Sequence, residues 1–427
     1  MGMTMAQKVL AARSGEASVV PGQIVVAEVD RVVVSDTVFY RTMSSLPDDL
    51  KRIAHPDRVA VILDHGAPAP TVEAAAAHTR AREHVKRLGI EWFTDVGRHG
   101  IEHQVILENG LALPGQLLAC NDSHTSAAGV MNCAARGLGM ADVVQALCTG
   151  KTWYKASPTV KFRLEGELPF STYGKDIFLY LAETFGSQEG HDIEFTGSGL
   201  ASLSMDDRAT LSTMCTELSA NFVMMPADGL VLEFLRSVTD APFQESVSDP
   251  DAVYAAVHTI DLANVRPYVA LPDSISHNTC PASEIVERHV GIDQAFIGSC
   301  ANGKLSDFRV AAGIVKGRRV ADGVRFLVTP ASQAIYLEAV RQGYVETLVE
   351  AGAVVTNSTC GACSGAHMGV LGPGEVCITS STRNYKGRMG STEASIYMGS
   401  SATVAASAIA GFIVDPAPYI REAAHSG

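Results

Sequence analysis

The sequence lacks any apolar run long enough to cross a membrane. The longest such run, residues 402–414, is rich in alanine and glycine and shorter than the roughly 20 apolar residues that a spanning helix needs. The first residues also lack an apolar core followed by a cleavage site, so they predict a short amphipathic helix and not a secretory signal. We therefore expect a cytoplasmic protein with no membrane partner.

Positive charge is also scarce. The 33 lysines and arginines are outnumbered by 46 acidic residues, which gives a formal net charge of -13. Because no basic stripe is present to neutralise phosphates, a nucleic-acid partner is not expected. The nine cysteines follow no regular framework, which fits a reducing compartment better than secretion.

A chain of 427 residues is too long for one ordinary hydrophobic core, so we expect two or three domains. The last third alternates short apolar strand segments with helical segments, a pattern typical of a largely parallel sheet. The sequence therefore predicts the α/β class. Helices are predicted over residues 71–88, 206–220 and 251–258.

Two cysteines, Cys360 and Cys363, are separated by two residues in the segment TNSTCGACSG. A pair at this spacing could bind zinc, form a redox disulfide, hold an iron–sulfur cluster, or be two small buried side chains. The chain has no second CxxC to complete a zinc site. A third cysteine, Cys300, follows another apolar strand segment, and three thiolates would leave one iron of a cubane cluster open to substrate.

Polar clusters follow the predicted strands at three places. Their residues are Asp64, His65, His103, Asp122, Ser123 and His124. In open α/β sheets, the carboxyl ends of the strands face the ligand crevice. A single Asp–His pair is most often a structural contact, but three clusters at equivalent positions favour a catalytic site.

The function of three further charged residues cannot be assigned from their residue type alone and depends on the surrounding sequence. Glu217 lies on the predicted helix 206–220, where a glutamate is usually exposed to solvent. Arg383 and Arg388 lie five residues apart in a glycine-containing loop. Their guanidinium groups suit a carboxylate that binds in a bidentate manner, although a solvated basic turn would have the same composition.

Taken together, these segments resemble the aconitase superfamily, and in particular its isopropylmalate dehydratase large subunits. The resemblance covers nearly the whole chain, and eight segments occur in that family's order: MGMTMAQKVLAARSG, PGQIVVAEVD, DHGAP, HQVILENG, NDSHTSAAG, IGSCANG, CGACSG and RNYKGRMG. It implies three α/β/α domains around a 4Fe-4S cluster, expected here at residues 1–157, 158–258 and 259–427. A fourth, swivelling domain would be a separate small subunit.

The resemblance also implies roles for individual residues. Cys300, Cys360 and Cys363 match the cluster ligands, and the fourth iron would bind substrate as a Lewis acid. Asp64 and His65 match a pair that handles the departing hydroxyl. The remaining residues match two His–carboxylate pairs, a positional serine and two contacts to substrate carboxylates: His103 with Asp122, His124 with Glu217, Ser123, and Arg383 with Arg388.

The implied activity is that of a hydro-lyase that dehydrates and rehydrates a hydroxy dicarboxylate, with isopropylmalate in leucine biosynthesis as the leading substrate. Homoaconitate, citramalate and dimethylmalate types are alternative substrates. A cluster-dependent regulator and a zinc-bound scaffold are alternatives of another class. Because the family's base for the carbon-bound proton is a serine of the small subunit, the chain alone is expected to be nearly inactive.

Three positions depart from the residues that are common in this family. Thr213 and Thr382 stand where asparagine is common, and Ala301 stands where threonine is usual. In the family, the two asparagine positions lie close to the cluster. The departures therefore concern the side chain of the substrate or the properties of the cluster.

Overall fold

A computed structural model describes residues 2–35, 39–41, 43, 52–365 and 367–420. The helices with described bounds are α1 (Met5–Ser14), α2 (Val72–Leu88), α3 (Glu102–Glu108), α4 (Met140–Thr149), α5 (Gly174–Phe185), α6 (Met205–Met214), α7 (Gly229–Val238), α8 (Ala282–Val286), α9 (Leu305–Val315), α10 (Gln333–Arg341), α11 (Tyr344–Glu350) and α12 (Ser401–Ala410). Short 3-10 turns that bear on the site are Ser123–Met131, Cys215–Leu218 and Gly361–Ser364.

The strands are β1 (Ile24–Glu28), β2 (Arg31–Ser35), β3 (Val59–Ile62), β4 (Trp92–Thr94), β5 (Leu117–Cys120), β6 (Ala134–Gly137), β7 (Lys151–Lys155), β8 (Thr159–Glu165), β9 (Asp192–Thr196), β10 (Val223–Met224), β11 (Ala256–Asp261), β12 (Tyr268–Ala270), β13 (Thr279–Pro281), β14 (Gln294–Ile297), β15 (Arg325–Val328), β16 (Val354–Val355), β17 (Val376–Thr379) and β18 (Ser395–Met398). This mixture of helices and mainly parallel strands confirms the predicted α/β class.

The described residues pack into two compact units. Unit 1 comprises Met1–Glu165, Gln188–Ala201 and Ser219–Ile260, and unit 2 comprises Gly166–Ser187, Ser202–Leu218 and Asp261–Gly427. This division does not test the three predicted domains, whose boundaries at residues 157 and 258 stay a prediction.

Unit 1 contains a five-stranded sheet with the order β4-β3-β2-β5-β6. Its neighbouring strands all run parallel, and every residue of β3 and β5 is buried. Parallel strands of this kind place their carboxyl ends on one edge of the sheet. The unit also contains an antiparallel ribbon of β1 and β7 and a four-stranded sheet with the order β10-β9-β8-β11.

Unit 2 is built on a seven-stranded sheet with the order β13-β12-β18-β17-β14-β15-β16. The strands from β18 to β16 run parallel, and β12 and β13 add an antiparallel edge. Phe296, Leu371, Met389 and Ile396 belong to its buried core. The carboxyl ends of β14, β16 and β17 therefore share one edge, and the largely parallel sheet predicted for the last third is confirmed.

Local sequence signals account for the clearest helix, α2. The Thr71 side chain accepts a hydrogen bond from the backbone N–H of Ala74, which caps the first turn, and Gly89 ends the helix at a φ of 67°. Ala77, Ala81 and Val85 recur at intervals of four residues and form its buried side. The helix predicted over residues 71–88 is therefore confirmed.

The helix predicted over residues 251–258 is wrong. The segment contains a turn and then enters β11, in which exposed and less exposed residues alternate as far as Thr259. The alanine and valine residues fit a helix by composition. However, pairing at the edge of the four-stranded sheet overrides that weak preference.

A membrane-spanning helix requires both length and low polarity. Among the residues that the structure describes, no helix meets both requirements.

Candidate active site

The polar residues predicted at strand ends in unit 1 follow the carboxyl ends of neighbouring parallel strands. Asp64 lies two residues after β3, and Asp122 lies two residues after β5; these two strands flank β2. His103 lies on α3, which begins after the loop that leaves β4. The order of the sheet thereby brings residues that are up to 60 positions apart to one edge.

Asp122 is the centre of this cluster. Its Oδ1 atom accepts a hydrogen bond from Nε2 of His103 at 2.8 Å and lies 3.6 Å from Nδ1 of His124. Its Oδ2 atom lies 3.8 Å from Nε2 of His65. Three imidazoles therefore face one carboxylate, and Ser123 is exposed beside them.

The environment of Asp122 keeps it ionised. Burial raises the pKa of this carboxyl, but hydrogen bonds to His103 and His124 and the charge of these two residues outweigh burial and hold the pKa well below its usual range. An ionised carboxylate only accepts hydrogen bonds. Asp122 therefore suits a group that orients imidazole N–H bonds during proton transfer.

Asp64 supports the helix that carries His103. Its Oδ2 atom accepts the backbone N–H of Glu102, the first residue of α3, at 2.9 Å. A negative charge at this end of a helix is favourable, because the first N–H groups have no partner within the helix. Nδ1 of His65 lies 3.7 Å from the same oxygen, so Asp64 contacts both the helix and the histidine that follows it.

Glu102 is a buried member of the cluster that the sequence analysis missed. The Cys120 thiol donates to its Oε1 atom at 3.5 Å. Burial and then the charges of Asp122 and Asp64 raise the pKa of Glu102 well above its ordinary value, which favours the protonated form of this carboxyl. Its place directly before His103 was the only available signal, since the sequence does not show which side of α3 is buried.

The three predicted cysteine ligands lie in unit 2 on loops at the carboxyl edge of the seven-stranded sheet. Cys300 follows β14, and the turn with Cys360 and Cys363 follows β16. Cys360 is 4% exposed and Cys363 is 2% exposed, whereas Cys300 is partly exposed. Gly361 opens the 3-10 turn between the two buried cysteines at a φ of 55°.

Arg388 contacts one of these sulfurs. Its Nη2 atom donates to Sγ of Cys363 at 3.4 Å. Burial lowers the pKa of Arg388, but the charge and hydrogen bond of Cys363 outweigh burial and raise it. A guanidinium beside a sulfur favours the thiolate form, which is the form that binds metals. Thr382 is fully buried, and its hydroxyl lies 3.9 Å from the same sulfur.

Arg383 and Glu217 form an ion pair in unit 2. The Nε atom of Arg383 donates to Oε1 of Glu217 at 2.8 Å, and both side chains are largely buried. The contact joins the loop after β17 to the 3-10 turn Cys215–Leu218 and holds the guanidinium in one orientation. The predicted pairing of Glu217 with His124 stays a prediction.

A hydrogen-bond network holds the loop of Cys300. Thr210 donates to the carbonyl oxygen of Ala301 at 2.6 Å, and the buried ammonium of Lys304 donates to the same oxygen. Thr213, on the same helix as Thr210, donates to the carbonyl oxygen of Ala209 at 2.6 Å. Of the departures, Ala301 therefore belongs to this network, and Thr213 lies on the helix that carries Thr210; both residues are fully buried.

These residues fit an iron–sulfur group. Three cysteines are provided by loops at one sheet edge, two of them are shielded from solvent, and a guanidinium stabilises one sulfur as thiolate. Thiolates of this kind are the usual ligands of iron–sulfur clusters. Cys300, Cys360 and Cys363 would hold the cluster in unit 2.

A family model described as the aconitase family (aconitate hydratase) matches residues 7–288 and 281–411. The 3-isopropylmalate dehydratase large subunit of Mycolicibacterium smegmatis is 54% identical over 422 residues, which cover 99% of this chain and 99% of that protein. The 3-isopropylmalate dehydratase large subunit 1 of Methanopyrus kandleri is 40% identical, and the match covers 98% of this chain and 100% of that protein.

The fold is also similar to a solved structure. The holo-form crystal structure of aconitase X from Thermococcus kodakaraensis matches with a TM-score of 0.50 and 14% sequence identity, over 86% of this chain and 88% of that one. At this identity the likeness concerns the fold alone.

Proposed function

The chain belongs to the aconitase family, and from this premise we propose that it is the large subunit of a 3-isopropylmalate dehydratase. The proposed reaction is the loss of water from a hydroxy dicarboxylate and its addition back at the neighbouring carbon, as a step of leucine biosynthesis. The proposed partners are a small subunit and the dicarboxylate substrate. The odd number of cysteines, nine, supports the reducing cytoplasm as the compartment of the protein.

The observation that carries the proposal is the set of three cysteines at the carboxyl edge of one parallel sheet. We propose that Cys300, Cys360 and Cys363 bind a 4Fe-4S cluster. When bound, a cluster with three protein ligands supplies a Lewis-acidic iron that can activate a substrate hydroxyl. The side chains of this chain must then bind the carboxylates and move the protons.

Arg383 and Arg388 are the proposed contacts for the substrate carboxylates. Both lie in the loop that follows β17, and Glu217 and Cys363, respectively, hold their guanidinium groups in place. A guanidinium fixed in this way loses little conformational freedom on binding a carboxylate.

The histidine cluster of unit 1 is the proposed source of the proton for the departing hydroxyl. Asp122 is ionised and accepts the N–H of His103, so this ring presents a defined tautomer. Asp64, His65 and His124 complete the set. A positioned acid of this type contributes about 10²- to 10⁴-fold to the rate of a reaction that needs proton transfer.

A product assay with a panel of substrates tests the proposed function. The chain is reconstituted anaerobically with iron and sulfide, combined with its candidate small subunit, and supplied with isopropylmalate, homoaconitate, citramalate and dimethylmalate. Formation of the alkene is followed by its ultraviolet absorbance. We expect the highest kcat/KM with isopropylmalate and none above background for the Cys360→Ser variant.

Other results would change the proposal in defined ways. A preference for another acid would overturn the substrate and would connect the departures at Thr213, Thr382 and Ala301 with the side chain that is recognised. Absence of product with every acid, in a preparation that contains iron and sulfide, would overturn the dehydratase function itself.

A further inference from the structure

We propose that Lys175 is a positioning residue for the cysteine and arginine loops of unit 2. Its buried ammonium holds the backbone of the loop that carries Arg383 and compensates the negative charge of the thiolates that bind the cluster. This inference rests on the proposed function and adds to it a residue outside every segment that carried the family resemblance.

The placement of Lys175 is costly for the fold. The residue is 0% exposed and is the second residue of α5. Lysine is almost never fully buried without a charged partner, and the first turn of a helix carries partial positive charge that repels an ammonium. Among the residues that the structure describes, no carboxylate lies within salt-bridge distance of Lys175. Such a cost at a buried position points to a function.

The contacts of Lys175 connect it to the arginine loop. Its Nζ atom donates to the carbonyl oxygen of Ser381 at 2.9 Å and lies 3.1 Å from the sulfur of Met214. Ser381 comes directly before Thr382, which lies beside the Cys363 sulfur, and two residues before Arg383. One buried donor therefore fixes the backbone directly before Thr382 and two residues before Arg383.

The charged form of Lys175 is favoured by negative charge on the groups around it. Burial and Lys304 lower the pKa of Lys175, to about 7, whereas Asp307, Cys363 and Glu217 act in the opposite direction. Further negative charge on the cysteine loops would act in the same direction as these three residues. Lys175 thus provides a positive charge where an anionic cluster needs one.

A second buried lysine and two arginines lie in the same part of unit 2. Lys175 and Lys304 are buried, and Arg383 and Arg388 lie in the loop after β17. The arginines suit the carboxylates of the substrate. Lys304 donates to a backbone carbonyl of the Cys300 loop, and Lys175 donates to one of the Arg383 loop. Their buried positive charges are therefore suited to compensate the negative charge of the thiolates.

Two substitutions separate the charge of Lys175 from its hydrogen bond. Lys175→Gln removes the charge but retains an N–H donor for Ser381, and Lys175→Met removes both. Lys316→Met, at an exposed lysine of the same unit, is the matched control. Each variant is purified at full length, reconstituted with iron and sulfide, and measured with the small subunit; circular dichroism checks that it is folded.

The cluster midpoint potential, followed by EPR, and the separate kcat and KM values are the readouts. We expect both Lys175 variants to shift the potential to more negative values, because loss of a nearby positive charge makes reduction harder. We also expect kcat/KM to fall about 10- to 100-fold, as is typical when a residue behind metal ligands is lost. Lys316→Met should match the wild type.

Several outcomes would overturn the inference. A potential that stays unchanged in both variants, even with a raised KM, would show that Lys175 only supports the loop. A reconstituted wild-type chain with no cluster would also overturn it. If Lys175→Met does not fold, Lys175→Gln alone decides. A wild-type chain that holds the cluster but dehydrates no acid would instead refute the proposed function and leave the potential measurement as the test of Lys175.

Discussion

At the scale of single residues, burial and the neighbouring charges together determine which carboxyls of the chain carry a charge. Imidazoles keep Asp122 ionised, whereas burial and two neighbouring carboxylates favour the protonated form of Glu102, on the same edge of the sheet. The cluster thus contains a carboxylate that orients histidines and an acid whose charged form is disfavoured. Such divergent environments are typical of catalytic sites.

Asp192 shows the same effect away from the cluster and gives a prediction for stability. Its side chain accepts the backbone N–H of Phe222 at 3.1 Å, and its Oδ2 atom has no hydrogen-bond partner among the described residues. Burial raises its pKa to about 7, against the opposing effects of Phe222 and Arg136. The folded chain therefore binds this proton more tightly than the unfolded chain, in which the pKa is about 3.9.

The sign of the pH dependence follows from this difference. Between about pH 4 and pH 7 the folded state binds more protons at Asp192, so its contribution to the free energy of unfolding decreases as the pH rises, and it is constant above pH 7. Asp192→Asn removes this dependence. We expect the free energy of unfolding of the variant, minus that of the wild type, to increase between pH 5 and pH 8 by an amount on the order of 1–4 kcal/mol.

Urea unfolding of the cluster-free chain at the two pH values measures this gain. Asp322→Asn, at an exposed aspartate, is the matched control and should show no gain. An equal change of stability with pH in Asp192→Asn and in the wild type would contradict the expected role of this carboxyl.

At the scale of elements, the positions of the reactive side chains are determined by short buried strands that are followed by tight turns. The types of the residues alone do not determine these positions. β3 and β5 are buried along their full length, and β16 has only two residues before the loop that leads to Cys360. Each strand fixes the starting point of its loop through its parallel neighbours. The hydrogen bond between the hydroxyls of Thr329 and Thr356, at 2.6 Å, joins the ends of β15 and β16 beside the cysteine turn.

The cysteine turn depends on Gly361. This residue has a φ of 55°, and a Cβ atom there would lie 2.8 Å from Oγ1 of Thr329 and 3.2 Å from the ring of Phe296. Gly361→Ala would therefore combine a left-handed backbone, which costs an alanine roughly 1–2 kcal/mol, with a close contact. We expect the iron and sulfide bound per chain after reconstitution to fall several-fold.

Gly343→Ala is the matched control for this substitution. Gly343 also has a positive φ, of 74°, but a Cβ atom there would meet nothing within 4 Å. The control therefore has the cost of the backbone conformation without the close contact. Equal iron contents in the two variants would show that the fit against Thr329 and Phe296 is unimportant for the cluster.

At the scale of the whole molecule, the proposed assembly with a small subunit predicts that the chain alone turns over slowly. The proposal assigns the base for the carbon-bound proton to the partner, and a missing base costs about 10²- to 10⁴-fold in rate. We expect the reconstituted chain alone to show less than about 1% of the rate of the complex. Steady-state rates with and without the small subunit, at equal cluster content, measure this.

A heat-denatured sample of the small subunit is the control for unspecific effects of added protein. It should leave the rate of the chain unchanged. Full turnover by the chain alone would place every catalytic group within its 427 residues and would contradict the proposed assignment of the base.

The net charge of -13 is also a property of the whole molecule. Cationic side chains nevertheless lie in and beside the arginine and cysteine loops, and two of those beside them, Lys175 and Lys304, are buried. Overall charge therefore says little about the site. An anionic substrate is attracted by the local charges and not by the mean.

The sequence by itself determined the features that depend on residue type and local order. The α/β class, the helix α2, the strand ends with Asp64 and Asp122, and the CxxC turn all follow from apolar patterns, capping residues and motif spacing. The family followed from the order of these segments along the chain. Such features can be predicted from the sequence because each depends on neighbours within a few residues.

Only the tertiary structure decided the contacts between distant segments. It showed the ion pair of Glu217 with Arg383, which joins residues 166 positions apart, and the burial of Lys175 and Glu102. It also showed that the segment 251–258, predicted as a helix, leads into the edge strand β11. The physical reason is the same in each case: burial, charge state and strand pairing depend on what packs against a residue, and a local pattern does not contain that information.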